Sequence, residues 1–236
     1  MSVLKFMSKL ALRVCLLIYI VLILFMMAHS LQAAPQFKTI TNSKLKKIAK
    51  HTHALYHIGG GRYCSSSAVK YRNKSYTLTN AHCCAVDAGF GEGRIFVGSH
   101  IETILYVSPI ADVCVATSQD KKTTLKLAKK EVELLDEVLL LGYPRGEDLT
   151  PRYGHVIALN RPVTVDYGDF FHTQFANLIS TLTFPGNSGS PVFNSKGEIV
   201  NLLYAGPHPL MGYGVVVPLR FIKDALEKAY LIHDQK

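Results

Sequence analysis

The sequence predicts an all-β domain, a barrel or sandwich, closed by a single C-terminal α-helix. Three observations carry this. Between His51 and Pro218 the apolar residues come in short runs rich in β-branched and aromatic types, bounded by Gly, Pro, Asn or Asp, which is strand-and-turn punctuation. No helical pattern separates most of those runs, which argues against βαβ units. From Leu219 to Tyr230, Leu219, Phe221, Ile222, Ala225, Leu226 and Ala229 follow i, i+3, i+4 spacing, one face of a helix.

Taken in order, Asn42 to Lys50 reads as a short helix capped by Asn42 or Ser43. The strands expected next are Ala54–Ile58, Cys64–Tyr71, Ser75–Thr79, Arg94–Val97, Thr103–Val107 and Val113–Ala116. A charged surface loop, Gln119–Glu131, precedes a second set: Val138–Leu141, Gly154–Leu159, Phe175–Ile179, Pro191–Phe193, Ile199–Tyr204 and Tyr213–Val217. Arg72-Asn73-Lys74 forms a turn, and Pro218 suits the first turn of the last helix.

The N-terminus has a different character. Lys5, Lys9 and Arg13 precede an apolar run from Val14 to Ala28, followed by small-residue sites at Ala28-His29-Ser30 and Ala33-Ala34. This is the pattern of a secretory signal peptide. An uncleaved membrane anchor is the alternative, since Leu10-Ala11-Leu12 extends the run. Residues 1–34 are therefore assigned to signal or anchor, 35–43 to a linker and 44–232 to the exported domain, secreted or periplasmic. The formal net charge of +9 is unevenly placed, with no Asp or Glu before Asp87. The N-terminal part thus carries a basic face suited to an anionic membrane surface. No nucleic-acid-binding motif accompanies it. Export places Cys64, Cys83, Cys84 and Cys114 where disulfides form, in any of three pairings. Cys83 and Cys84 are adjacent, not C-x-x-C, so zinc is disfavoured. His51, His53 and His57 alternate as on one strand face, but no carboxylate accompanies them and no metal is assigned.

Three segments carry chemistry. Pro185-Gly186-Asn187-Ser188-Gly189-Ser190-Pro191 is turn-like in composition, yet its glycines can direct amide N–H groups toward a substrate oxygen. His82 ends an apolar strand, and Asp112 opens another. Each alone is ordinarily structural. Together they supply a nucleophile, a base and an orienting acid: serine attacks only once a base takes its proton, and an acid fixes the base's tautomer.

Thr79-Asn80-Ala81-His82-Cys83, Ala111-Asp112-Val113 and Gly186-Asn187-Ser188-Gly189-Ser190-Pro191 resemble the signature segments of trypsin-like (chymotrypsin-fold) serine peptidases. Gly186–Asn194 is similar to glutamyl endopeptidases. Leu141-Gly142-Tyr143-Pro144, Tyr153-Gly154-His155-Val156 and Gly212–Pro218 resemble the HtrA protease domain. The resemblance implies a double six-stranded antiparallel β-barrel with the site between the barrels. It implies Ser188 as nucleophile, His82 as general base and Asp112 as orienting acid, with the amides of Gly186 and Ser188 as oxyanion hole. Ser190 is the rival serine, standing where many relatives have glycine. The resemblance also implies a Cys64–Cys83 bridge, no cofactor and no metal, and protein or peptide substrates.

Departures from the family sharpen the expectation. Asn187 replaces the Asp that trypsin-type zymogens pair with a new N-terminus, so the site is expected to form without that cleavage. The specificity-pocket positions Leu182, Thr183, Leu203 and Tyr204 carry no charge, which predicts a neutral or apolar P1 residue. HtrA relatives carry a PDZ domain after the catalytic one; the six residues after Tyr230 predict none. The function read from sequence is an exported serine endopeptidase working through an acyl-enzyme. The alternative is a catalytically weak or inactive trypsin-fold binding module at a membrane surface.

Overall fold

Short strands, most of them buried at consecutive positions, form two sheets, each curled until its edges pair. The computed structural model describes residues 18–21, 40–56, 61–85, 93–166, 171–206 and 212–235. Residues 18–21 are helical and belong to a unit spanning Met1–Phe37; the rest of the predicted signal or anchor lies outside the described residues. Among the described residues no helix is long and apolar enough to cross a membrane.

Lys38–Lys236 form a compact unit. It opens with α1 (Asn42–Ala49), capped by Thr41, whose side chain accepts from the Lys44 amide, and not by Asn42 or Ser43. Ile40, just before the helix, is buried in the core. The first barrel holds β1 (Thr52–Tyr56), β2 (Arg62–Tyr71), β3 (Lys74–Thr79), β4 (Arg94–Val97), β5 (His100–Val107) and β6 (Cys114–Thr117), with α2 (Ala81–Ala85) after β3. The second holds β7 (Glu137–Gly142), β8 (Thr150–Asp166), β9 (Phe171–Ile179), β10 (Pro191–Phe193), β11 (Ile199–Ala205) and β12 (Gly214–Pro218). A 3₁₀ turn, Pro144–Gly146, follows β7, and α3 (Leu219–Asp234) ends the chain. Strand order is β1-β2-β3-β6-β5-β4 in one barrel and β10-β11-β12-β9-β8-β7 in the other, all pairs antiparallel. Closure comes from Leu55 opposite Val97 and from Val192 opposite Leu140. Closing a sheet removes its exposed edges.

The interior of β7 shows why its sequence is apolar at consecutive positions. Val138 and Leu140 face the interior of the second barrel with Val156, Ile179, Val192 and Val216. Leu139 and Leu141 face the other way, into a cluster shared with Leu78, Val113 and Val115 of the first barrel. Both faces of the strand are covered, so period-2 alternation disappears from the sequence. The α3 residues Ile222, Ala225, Leu226 and Ala229 bury into that shared cluster. Glu131 accepts from the Leu219 and Arg220 amides and so caps the helix.

Three expectations change here. Gln119–Glu131 is not merely a surface loop: Thr123, Leu125 and Ala128 are buried, and its backbone pairs with Lys70 of β2 and Ile199 of β11. α2 carries no helix signal of its own in sequence. A carboxylate does accompany the alternating histidines: Asp120 lies 2.6 Å from His51 Nδ1 and 3.5 Å from His53 Nε2. The 119–123 turn, distant in sequence, brings it there. His57 and the His172 side chain lie outside what is described.

Candidate active site

β3 delivers the chain to α2, and α2 presents His82. Adjacent cysteines bind this helix in two directions: Cys83 is joined to Cys64 on β2, and Cys84 to Cys114 at the start of β6. Tyr63 adds a hydrogen bond from its phenol to the Cys83 carbonyl, 2.9 Å, and burial pushes that phenol's pKa up to about 12. Cys64, Cys83 and His82 cluster at metal-ligand distances. Both sulfurs are in the disulfide, so no thiolate remains to bind a metal.

Asp112 sits in the turn before β6 and is 2% exposed. Its Oδ2 lies 2.6 Å from His82 Nδ1, and its Oδ1 accepts from the His82 amide at 2.9 Å. The carboxylate therefore grips ring and backbone of one residue. An imidazole that donates from Nδ1 keeps Nε2 as its basic atom. Asp112 is itself held at both backbone atoms: its N–H donates to Gln174 Oε1 at 2.7 Å, and its carbonyl accepts from Asn80 Nδ2 at 2.7 Å. Gln174 comes from β9 of the other barrel.

The serine loop between β9 and β10 is laced to both barrels. Ser65 N–H donates to the Ser188 carbonyl at 2.7 Å, Ser65 Oγ to the Gly186 carbonyl at 2.8 Å, and Arg145 N–H to the Pro185 carbonyl at 2.6 Å. Gly189 N–H donates to the Leu203 carbonyl at 2.8 Å. Gly186 and Gly189 have φ of +92° and +82°, the left-handed region that favours glycine. A Cβ on Gly186 would strike the Tyr143 carbonyl, and one on Gly189 the Ser65 carbonyl and Thr79 Oγ1. Among the described residues neither the Gly186 nor the Ser188 amide donates to a backbone carbonyl.

Of the predicted pocket residues, Thr183 is 5% exposed and packs so tightly on Gly206 and Gly214 that a Cβ on either would meet it. Leu182 is 45% exposed. Leu203 is buried in the second barrel's core. Tyr204 is buried close enough to Asp112 to feel its charge; burial first, and that carboxylate second, push the phenol's pKa far up. Sequence reasoning missed Gln174 and Tyr63, which stand in no chemical motif, and the role of Asn80, which stands in the segment that carries His82. Each matters only through a contact between distant segments.

Two closed barrels, an imidazole–carboxylate pair on one and a glycine-braced serine loop from the other define a trypsin-like serine protease domain. A family model described as "Trypsin-like peptidase domain" matches residues 64–202, and the chain belongs to that family. It is similar to a probable periplasmic serine endoprotease, DegP-like, of Ectopseudomonas mendocina, 32% identical over 151 residues, 61% of this chain and 30% of that one. It is similar also to the HtrA-like serine protease of Staphylococcus haemolyticus, 26% identical over 223 residues, 86% of this chain and 34% of that one. The chain thus spans about a third of the length of these relatives. In structure it matches the active form of the Rv3671c protease from M. tuberculosis, with TM-score 0.64 and 17% identity over 84% of this chain and 88% of that one. The HtrA-type protease AlgW with tripeptide matches at TM-score 0.57 and 22% identity, over 78% and 60% of the two chains. At those identities the likeness speaks for the fold.

Proposed function

We propose that this domain is an extracytoplasmic serine endopeptidase in which Ser188 is the nucleophile, His82 the general base and Asp112 the orienting acid. The observation that carries the reading is the 2.6 Å contact between His82 Nδ1 and the buried Asp112 carboxylate. Ser188 Oγ attacks the scissile carbonyl carbon while its proton passes to His82 Nε2. The Gly186 and Ser188 amides hold the oxyanion. The C–N bond breaks, the amine leaves with the proton from Nε2, and the acyl group stays on Ser188. Water then gives a proton to Nε2, attacks the ester and releases the acid and the free serine.

The P1 residue is neutral or apolar, since Leu182, Thr183, Leu203 and Tyr204 bring no charge. Two disulfides beside the site suit an oxidising compartment, and the DegP-like relatives are described as periplasmic.

A fluorophosphonate probe tests the nucleophile. The wild-type chain and Ser190→Ala are expected to label, and Ser188→Ala to show none. A wild type that takes no label and cleaves no peptide mixture would sink the enzymatic reading. Peptide-library cleavage tests the pocket, and a strong preference for Arg or Glu at P1 would show it wrong.

A further inference from the structure

The fold gathers two lysine-rich segments, far apart in sequence, onto one face. In α1 and the residue after it, Lys46, Lys47 and Lys50 are exposed. In the connection between the barrels, Lys122, Lys126, Lys129 and Lys130 are exposed. The two segments contribute to one apolar cluster, which includes Leu45, Ile48 and Ala49 of α1 and Leu125, Leu127 and Ile199. The Lys44 ammonium reaches the Ser195 carbonyl at 3.4 Å, and the Lys126 carbonyl accepts from Ile199 at 3.0 Å, tying both to the turn that leads into β11. The cluster is buried, so the ammonium groups stand around it in solvent.

The carboxylates of this region are already engaged. Asp120 contacts His51, Glu131 caps α3, and Glu198 accepts from Asn194 Nδ2. Among the described residues Lys46, Lys47, Lys50, Lys126, Lys129 and Lys130 make no ion pair. Lys46 and Lys50 are a like-charge pair at i, i+4 on α1 and the residue after it, and such pairs repel.

We infer that this composite face docks on a bilayer surface bearing anionic phospholipid headgroups. Lysine is a flexible point charge, suited to a diffuse layer of phosphates; the paired, planar contacts that arginine makes with a defined phosphate are absent from this set. None of its members is an aromatic on which a nucleic-acid base could stack. The face also leaves the serine loop open. Ser65 of β2 binds that loop, whereas Lys70, farther along the strand, bonds the connection at Leu125, about 17 Å away at strand rise.

The test uses residues 38–236, the unit that contains both barrels and their cores, so that the apolar N-terminal run does not itself bind lipid. Co-sedimentation is measured with phosphatidylcholine vesicles and with vesicles carrying 30% phosphatidylglycerol. Wild type is expected on the anionic vesicles at low salt and off them at 0.5 M salt. Lys46→Gln/Lys47→Gln/Lys50→Gln and Lys126→Gln/Lys129→Gln/Lys130→Gln should each lose roughly tenfold or more in partitioning. The corresponding Arg triples should keep it, and all four should keep the wild-type melting temperature and soluble-peptide cleavage. Equal partitioning to neutral and anionic vesicles, or Gln triples that bind like wild type, would overturn the inference. So would tighter binding to duplex DNA than to anionic vesicles at equal phosphate.

Discussion

Ser188 and Ser190 are two positions apart yet occupy opposite environments. Ser190 is fully buried against Gly142, where a Cβ would collide with its hydroxyl. Ser188 is partly exposed, which favours it over Ser190 as the proposed nucleophile. The sequence separated them only through family resemblance; the physical reason is the apposition of β7 and the serine loop, which no local pattern contains. Glu102 is a second case where environment decides. It is 3% exposed, its Oε1 accepts from the Gln119 amide at 2.8 Å, and burial, its largest influence, raises its carboxyl pKa above the ordinary value. A raised folded-state pKa means that the folded protein holds this proton more tightly than the unfolded chain does. Its contribution to stability is full below the unfolded pKa and is lost as pH rises through the folded one. Glu102→Gln keeps an acceptor for Gln119 and removes the charge. It is predicted to raise the melting temperature near pH 7.5 and to change it little near pH 4. A Tm difference that does not grow with pH would contradict this.

Among the elements, α2 shows best how tertiary bonds replace propensity. Five residues cannot form a stable helix alone. This one is fixed because Cys83 ties it to β2 and Cys84 ties it to β6. The strands, by contrast, were legible: each expected run overlaps one of the strands found, because turn residues and β-branched runs are local signals. β8 exceeded its expected Gly154–Leu159 because Asn160, Arg161 and Pro162 read as turn punctuation, whereas the strand runs on through them into Val163–Asp166, paired with β9. The Cys84–Cys114 bond was one of the pairings left open by sequence, and it joins the helix of His82 to the strand just after Asp112. Closing a loop of 30 residues restricts the unfolded chain by about 3–4 kcal/mol in the chain-entropy model. Cys84→Ser/Cys114→Ser is therefore predicted to lose about that much stability in urea titration. Fluorophosphonate labelling should also slow, even under conditions where the variant stays folded. A variant as stable as wild type would show that the bond constrains little.

For the whole molecule, the decisive fact is that the site belongs to neither barrel. Ser188 lies on a loop of the second barrel and is bonded to Ser65 of the first. Asp112 lies on the first and is bonded to Gln174 of the second. The shared apolar cluster that includes Leu78, Val115, Leu139 and Leu141 sets how the barrels sit against each other, and these two polar links convert that packing into placement of reacting groups. Neither link was visible in sequence, since Gln174 lies in an ordinary strand pattern far from Asp112. Gln174→Ala leaves the Asp112 N–H buried without its acceptor, at a cost of about 1–3 kcal/mol. Asp112 can recover a partner only by shifting, and its carboxylate would then move relative to His82. In the proposed mechanism the carboxylate acts on the imidazole and not on bound substrate, so kcat is predicted to fall by roughly ten- to a hundredfold while KM changes less than about threefold. Steady-state kinetics on a cleaved peptide separate the two constants, with the fold checked by circular dichroism. A rise in KM at constant kcat would place Gln174 in substrate binding, and unchanged kinetics would show that the inter-barrel bond does not position the acid.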